Sequence, residues 1–181
     1  MIRFFPWEPE TADPRIGGVR LLVLGESHYE EADAGVVEGA GDFTGHTREI
    51  VERWGRRGEA RKVFFANIYT LLTGEPWTVA GNHRALWDNL FFYNYVQTLV
   101  PGGARHRPTP KMFADSEPAF REVLEQIRPD AVLAVGEDGG FEMVECEALG
   151  GDWLNVLRTH RSLSRLRSAR STRERIAKAA A

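Results

Sequence analysis

Two short apolar runs, each followed by a polar turn, constrain this chain more than any other feature. Residues 19–24 (Val-Arg-Leu-Leu-Val-Leu) run into Gly25-Glu26-Ser27-His28-Tyr29, and residues 153–157 (Trp-Leu-Asn-Val-Leu) lead to Thr159-His160-Arg161-Ser162-Leu163-Ser164. A brief apolar run closed by a Gly or polar turn reads as a buried strand that delivers its loop to the carboxyl edge of a sheet. In open α/β sheets that edge is where ligands bind. The chain is therefore expected to fold so that both turns meet at one site.

Between the two runs, helix and strand signals alternate. A Gly- and acid-rich loop over 30–42 precedes a helix opening near Thr44 or Thr47. Residues 61–72 carry Val63, Phe64, Ile68, Leu71 and Leu72 in a helical pattern closed by Gly74. A short helix over 85–90 leads into an aromatic-rich strand over 91–97. Pro101-Gly102-Gly103 and Arg107-Pro108-Thr109-Pro110 mark the next loop. Residues 117–127 form an amphipathic helix with Phe120, Val123, Leu124 and Ile127 on one face and Pro118 in its first turn. A buried strand over 131–135 ends at Gly136, and a helix near 139–148, the strand 153–157 and a final helix from about 172 complete the order. Strands alternating with helices imply a parallel sheet covered on both faces. The expected architecture is a three-layer α/β/α sandwich around a central four-stranded, mainly parallel sheet. It forms a single domain over 1–181, with an irregular lead-in over 1–18 and a basic segment over 158–181.

Composition narrows the classes. A chain of 181 residues, 43% hydrophobic, suits one substantial core. No apolar stretch approaches the ~20 residues that span a bilayer, and the amino terminus lacks the charged-then-apolar pattern of a signal peptide. Cys146 is the single cysteine, which excludes an internal disulfide and any four-cysteine zinc or iron–sulfur site. The expectation is a cytoplasmic protein with no metal and no other cofactor. Charge is unevenly spread. Residues 158–181 hold eight basic side chains and one acid, a net +7, which leaves −10 for residues 1–157 out of the total of −3. A basic tail beside a site suits phosphate-bearing ligands or nucleic acid; a solvated helix with cations at its carboxyl end is the structural alternative.

Five groups of residues can carry chemistry. Glu26 can position a water, Ser27 can act as nucleophile or phosphate contact, and His28 can shuttle protons; Ser27 as a helix cap is the plain alternative. Phe43, set among Gly and polar residues in Gly41-Asp42-Phe43-Thr44-Gly45, can stack on a planar base, or staple the following helix. Asn94 interrupts the aromatic strand, and its carboxamide matches the donor–acceptor edge of a nucleobase; a bulge or turn bond would explain it structurally. His160 can stabilise negative charge developing on a leaving group. Arg161, Ser162, Ser164 and Arg165 surround it.

Taken in order, these pieces resemble the uracil-DNA glycosylase superfamily. They are most similar to the branch with Gly-Glu-Ala-Pro-Gly and Pro-Phe-Val-Gly motifs, here Gly25-Glu26-Ser27-His28-Tyr29 and Asp42-Phe43-Thr44-Gly45. The branch's Thr-Asn-Val-Val strand corresponds to Tyr93-Asn94-Tyr95-Val96, and its Arg-x-Pro-Thr loop to Arg107-Pro108-Thr109. The next helix and strand correspond to 120–127 and 129–136. Its His-Pro-Ser motif corresponds to His160-Arg161-Ser162. The resemblance spans about residues 19–175.

The resemblance implies base excision from DNA, with a nucleotide flipped from the stack into a pocket. Phe43 and Tyr29 would then contact the base and Asn94 would bond its Watson–Crick edge. Glu26, Ser27 and His28 would position the attacking water, and His160 would stabilise the departing base. Arg161, Ser162, Ser164 and Arg165 would meet the nucleic-acid backbone, and no iron–sulfur cluster is implied. The chain also departs from the pattern. Ser27 stands where the best-known branch has its water-activating aspartate, and His28 and Arg161 replace prolines. Two other functions stay open. In an SGNH-type serine hydrolase, Ser27 would be the nucleophile, Asn94 would line the oxyanion hole and His160 would be the base. That family places an aspartate three residues before the histidine, where this chain has Leu157, the nearest upstream acid being Asp152. A non-catalytic nucleotide or nucleic-acid binder would use the same pocket without turnover.

Overall fold

The computed structural model describes residues 1–30, 44–103 and 106–135, and the backbone of 141–145. It is a mixed α/β fold built on a small open sheet. The elements are β1 (Leu21–Gly25), α1 (His46–Ile50), α2 (Val63–Thr73), α3 (His83–Trp87), β2 (Phe91–Asn94), α4 (Pro110–Ile127), β3 (Ala131–Val135) and β4 (Phe141–Glu145). A π-helical stretch, Val51–Arg56, continues α1. The strand order is β2-β1-β3-β4. β1 pairs in parallel with β2 and β3, and β4 runs antiparallel to β3 at the edge.

Strand periodicity explains why β1 is apolar throughout. Successive side chains point to opposite faces, and both faces are covered. Leu21 and Val23 pack with Phe65, Ile68, Trp87 and Phe92 in one cluster. Leu22 and Leu24 pack with Tyr93, Phe120, Val123 and Val132 in the other. Handedness explains the layering. The chain moves from β1 to β2 on one side, then passes back across β1 to β3, so right-handed crossovers place the two connections on opposite faces. Thus α1 to α3 share the first cluster, and α4 covers the second.

Three elements differ from the sequence-based expectation. The helix expected near 139–148 is absent over 141–145, which form β4 against β3, with Val135 opposite Phe141 and Ala131 opposite Glu145. Gly139-Gly140 lies between two apolar runs, a hairpin signal that outweighs any helical pattern there. The amphipathic helix begins at Pro110, seven residues before the expected start. Thr109 caps it by accepting the Met112 amide at 3.2 Å, with Pro110 in the first turn and Pro118 in the interior. The cap and the N1 proline, both within the segment expected as loop, supply the start signal. The aromatic strand stops at Asn94. The expected strand 153–157, the final helix and the second polar turn lie outside the described residues.

The first 18 residues hold no helix and no extended strand, yet they are firmly attached. Trp7 exchanges backbone bonds with Phe92 (2.8 and 3.3 Å) and donates its indole N–H to the Trp87 carbonyl at 2.9 Å. The outer edge of β2 is thereby covered rather than left as an open template. Among the described residues no helix is long and apolar enough to cross a membrane.

Candidate functional site

The carboxyl end of β1 is stitched to the chain beyond β2. Tyr95 and Val96 donate to the carbonyls of Gly25 (3.0 Å) and Glu26 (2.9 Å), and Val100 donates to that of His28 at 2.8 Å. Tyr29 forms a parallel bridge with Val100. The polar turn is therefore a fixed extension of the sheet.

Parallel register sets Gly25 directly beside Asn94. A Cβ at position 25 would collide with Asn94 Oδ1, so glycine here provides room for the carboxamide to cross the strand end. Asn94 Nδ2 donates to the Ser27 carbonyl at 3.3 Å and lies 3.2 Å from both ring nitrogens of His28. His28 Nε2 is 2.9 Å from Thr47 Oγ1. An imidazole that accepts at Nδ1 from Asn94 and donates from Nε2–H to Thr47 satisfies both partners. The ring packs edge-to-face on His46 and Phe4, with centroids 4.5 and 4.9 Å away. His28, His46, Thr47 and Asn94 are all buried.

Gln97 closes the floor of this network. Its Oε1 accepts the amides of Arg3 and Phe4, each at 2.9 Å, and its Nε2 donates to the Asn94 carbonyl at 2.9 Å. Its own amide donates to Ser116 Oγ at 2.9 Å, tying α4 to the same point. Buried polar groups require such partners. His28 and Asn94 thus brace the turn from the interior.

Glu26 faces outward from that brace. Its Oε2 is 3.0 Å from Arg107 Nη2, and the two side chains are 19% and 55% exposed. Its Oε1 is buried and has no hydrogen-bond partner among the described residues, and the same holds for Ser27 Oγ. Burial raises the Glu26 carboxyl above its ordinary range, opposed by the Arg107 charge and a hydrogen bond from Tyr29. A mostly buried carboxylate with an unpartnered oxygen and a raised pKa has the acceptor and the basicity to take a proton from a water.

Of the residues singled out in the sequence, Glu26, Ser27, His28, Tyr29 and Asn94 come together here. Phe43, His160, Arg161, Ser162, Ser164 and Arg165 lie outside the described residues. Sequence reasoning missed His46, Thr47 and Gln97 as site supports and Arg107 as the partner of Glu26. The pair His46-Thr47 at a helix start and a glutamine three residues after Asn94 were the available signals. Among the described residues no cluster of three or more His, Cys, Asp or Glu could hold a metal ion. No protein-family model, curated protein or solved structure matches this chain.

Proposed function

We propose that this chain is a divergent uracil-DNA-glycosylase-like domain, a three-layer α/β/α sandwich that takes a flipped nucleobase of DNA into the carboxyl edge of its sheet. The observation that carries this reading is the juxtaposition of Glu26 and Asn94 at the ends of adjacent parallel strands. Asn94 lies in register with Gly25, the residue before Glu26; its buried carboxamide is held by His28 and Ser27, and Glu26 keeps one oxygen unpartnered. Base excision requires that pairing of a water-activating group with a base-reading one.

In this reading, water held at Glu26 attacks the C1′ carbon of the sugar. The C1′–N bond breaks, its electron pair leaves with the base, and the water proton passes to the carboxylate. The products are the free base and an abasic site. Phe43 stacks on the base, and His160 stabilises its negative charge. Asn94 exchanges its bonds to Ser27 and His28 for the edge of the base, Tyr29 contacts the base, and Ser27 and His28 hold the turn. Arg161, Ser162, Ser164 and Arg165 meet the backbone.

The test is incubation with single- and double-stranded oligonucleotides carrying uracil, hypoxanthine or xanthine, followed by alkaline cleavage. Strand cleavage at the modified base is expected, reduced about 10²–10⁴-fold in Glu26→Gln, the usual worth of a positioned general base. Asn94→Ala and His160→Ala run beside it as losses of base contact and of leaving-group stabilisation. Intact strands with every substrate would overturn base excision.

A further inference from the structure

We propose that Arg107 is a phosphate-responsive latch: it holds Glu26 in the free protein and transfers to a backbone phosphate of bound nucleic acid, releasing the carboxylate. The proposal rests on the nucleic-acid reading above and adds a control element to that site.

The two partners are unequally placed. Arg107 lies in the loop ahead of α4 and is 55% exposed, whereas Glu26 is 19% exposed at the strand end. The guanidinium is the solvent-facing partner of the pair and the carboxylate the more buried one. An ion pair with one partner so open to solvent is weak and readily exchanged. Guanidinium–phosphate contacts are charge-assisted and frequently bidentate, so a phosphate competes well against a single carboxylate oxygen. The positive end of α4 begins three residues later and favours the same anion.

The exchange changes what Glu26 does. The groups acting on its carboxyl are Arg107 from that loop and the Tyr29 hydroxyl from its own turn, both opposing the effect of burial. Oε1 already lacks a partner, and departure of Arg107 from Oε2 leaves the carboxylate without its countercharge. A carboxylate in that state holds protons more tightly and is a stronger base toward water. Coupling this change to phosphate contact keeps the base quiet until substrate is seated.

The experiment follows the Glu26 carboxyl carbon by NMR across a pH titration, with Glu26→Gln assigning the signal. Wild type and Arg107→Met are each titrated free, with inorganic phosphate, and with a single-stranded oligonucleotide carrying a stable abasic-site analogue. Sodium chloride matches ionic strength throughout. The latch requires the oligonucleotide to raise the wild-type midpoint by about one pH unit, the usual effect of removing an adjacent opposite charge. Arg107→Met should start at the raised value and stay there. Equal midpoints in the two free proteins, or a bound oligonucleotide that leaves the wild-type midpoint in place, would overturn the latch. Phosphate alone moving the midpoint while no oligonucleotide binds would uphold the exchange and sink the nucleobase reading. Base excision with an unmoved Glu26 would do the reverse.

Discussion

Replacing Gly25 with alanine tests the packing that brings the candidate site together. Gly25 is not in the left-handed region, so its role is space rather than backbone freedom. An alanine Cβ would overlap Asn94 Oδ1 and sit 3.1 Å from Phe92 Cζ, in a region where Phe92 and Asn94 are both buried. Overpacking of this kind costs about 1–3 kcal/mol. If Asn94 swings aside, the Ser27 carbonyl and the buried His28 ring lose a donor, worth about 1–3 kcal/mol more. A combined loss of about 3 kcal/mol corresponds to a drop of about 6–12 °C in Tm for a domain of this size. Thermal and urea unfolding read the loss directly. A double-mutant cycle isolates the cause, because in an Asn94→Ala background the colliding oxygen is gone. The cost of Gly25→Ala should then fall to about 1 kcal/mol, a coupling of about 2 kcal/mol. A Gly25→Ala melting temperature within about 2 °C of wild type would refute the reasoning. So would an equal loss in both backgrounds.

Three further outcomes follow from the structure. Tyr93 is fully buried, its hydroxyl has no partner among the described residues, and burial with nearby Glu122 and Tyr95 pushes its pKa far up. Tyr93→Phe should be neutral or stabilising by about 1 kcal/mol in urea unfolding, because it removes an unpaired polar atom; a loss of that size would contradict this. Arg56 is 9% exposed and bonds Asp88 through Nε at 2.6 Å and Nη2 at 3.4 Å, with Glu52 and Glu10 also in contact. Arg56→Met should cost about 3 kcal/mol by stranding those carboxylates, and Arg56→Lys should recover only part, since an ammonium cannot reproduce the fork. The raised Glu26 pKa means the folded state binds this proton more tightly than the unfolded chain does, so the group's contribution falls as pH rises above the ordinary 4.5. Relative to wild type, Glu26→Gln should therefore gain stability as pH rises above the ordinary 4.5, measured as ΔG of unfolding against pH; a flat difference would show that the carboxyl is not perturbed.

Much of the architecture was legible because it is local. The all-apolar runs of β1 and β3 announce strands buried on both faces, and the spacing of Phe120, Val123 and Ile127 announces the face that α4 lays on the sheet. The Gly25–Tyr29 turn was legible as a site for the same reason, since a polar turn after a buried strand lies at a carboxyl edge. Other features depended on competing local signals. Pro118 drew the helix start toward itself, although Thr109-Pro110 carries the cap. β4 carries no decisive strand signal, because five residues hold too little periodicity to tell a strand from a helix.

What the sequence by itself determined is the order of the elements from β1 to β3 and the chemical groups at the ends of β1 and β2. Which groups meet was decided by tertiary structure. Gly25 faces Asn94 across 69 positions because parallel pairing sets that register, and Arg107 reaches Glu26 because the loop ahead of α4 crosses the same edge. His28 and Glu26 are two residues apart, yet one is sealed beneath Phe4 and His46 and the other holds an exposed arginine. Propensity and periodicity act over a few residues, whereas register, burial and ion pairing depend on segments far apart in the chain. That is why two polar residues of one turn, read together as a catalytic group, take separate places, His28 in the buried brace and Glu26 in the ion pair with Arg107.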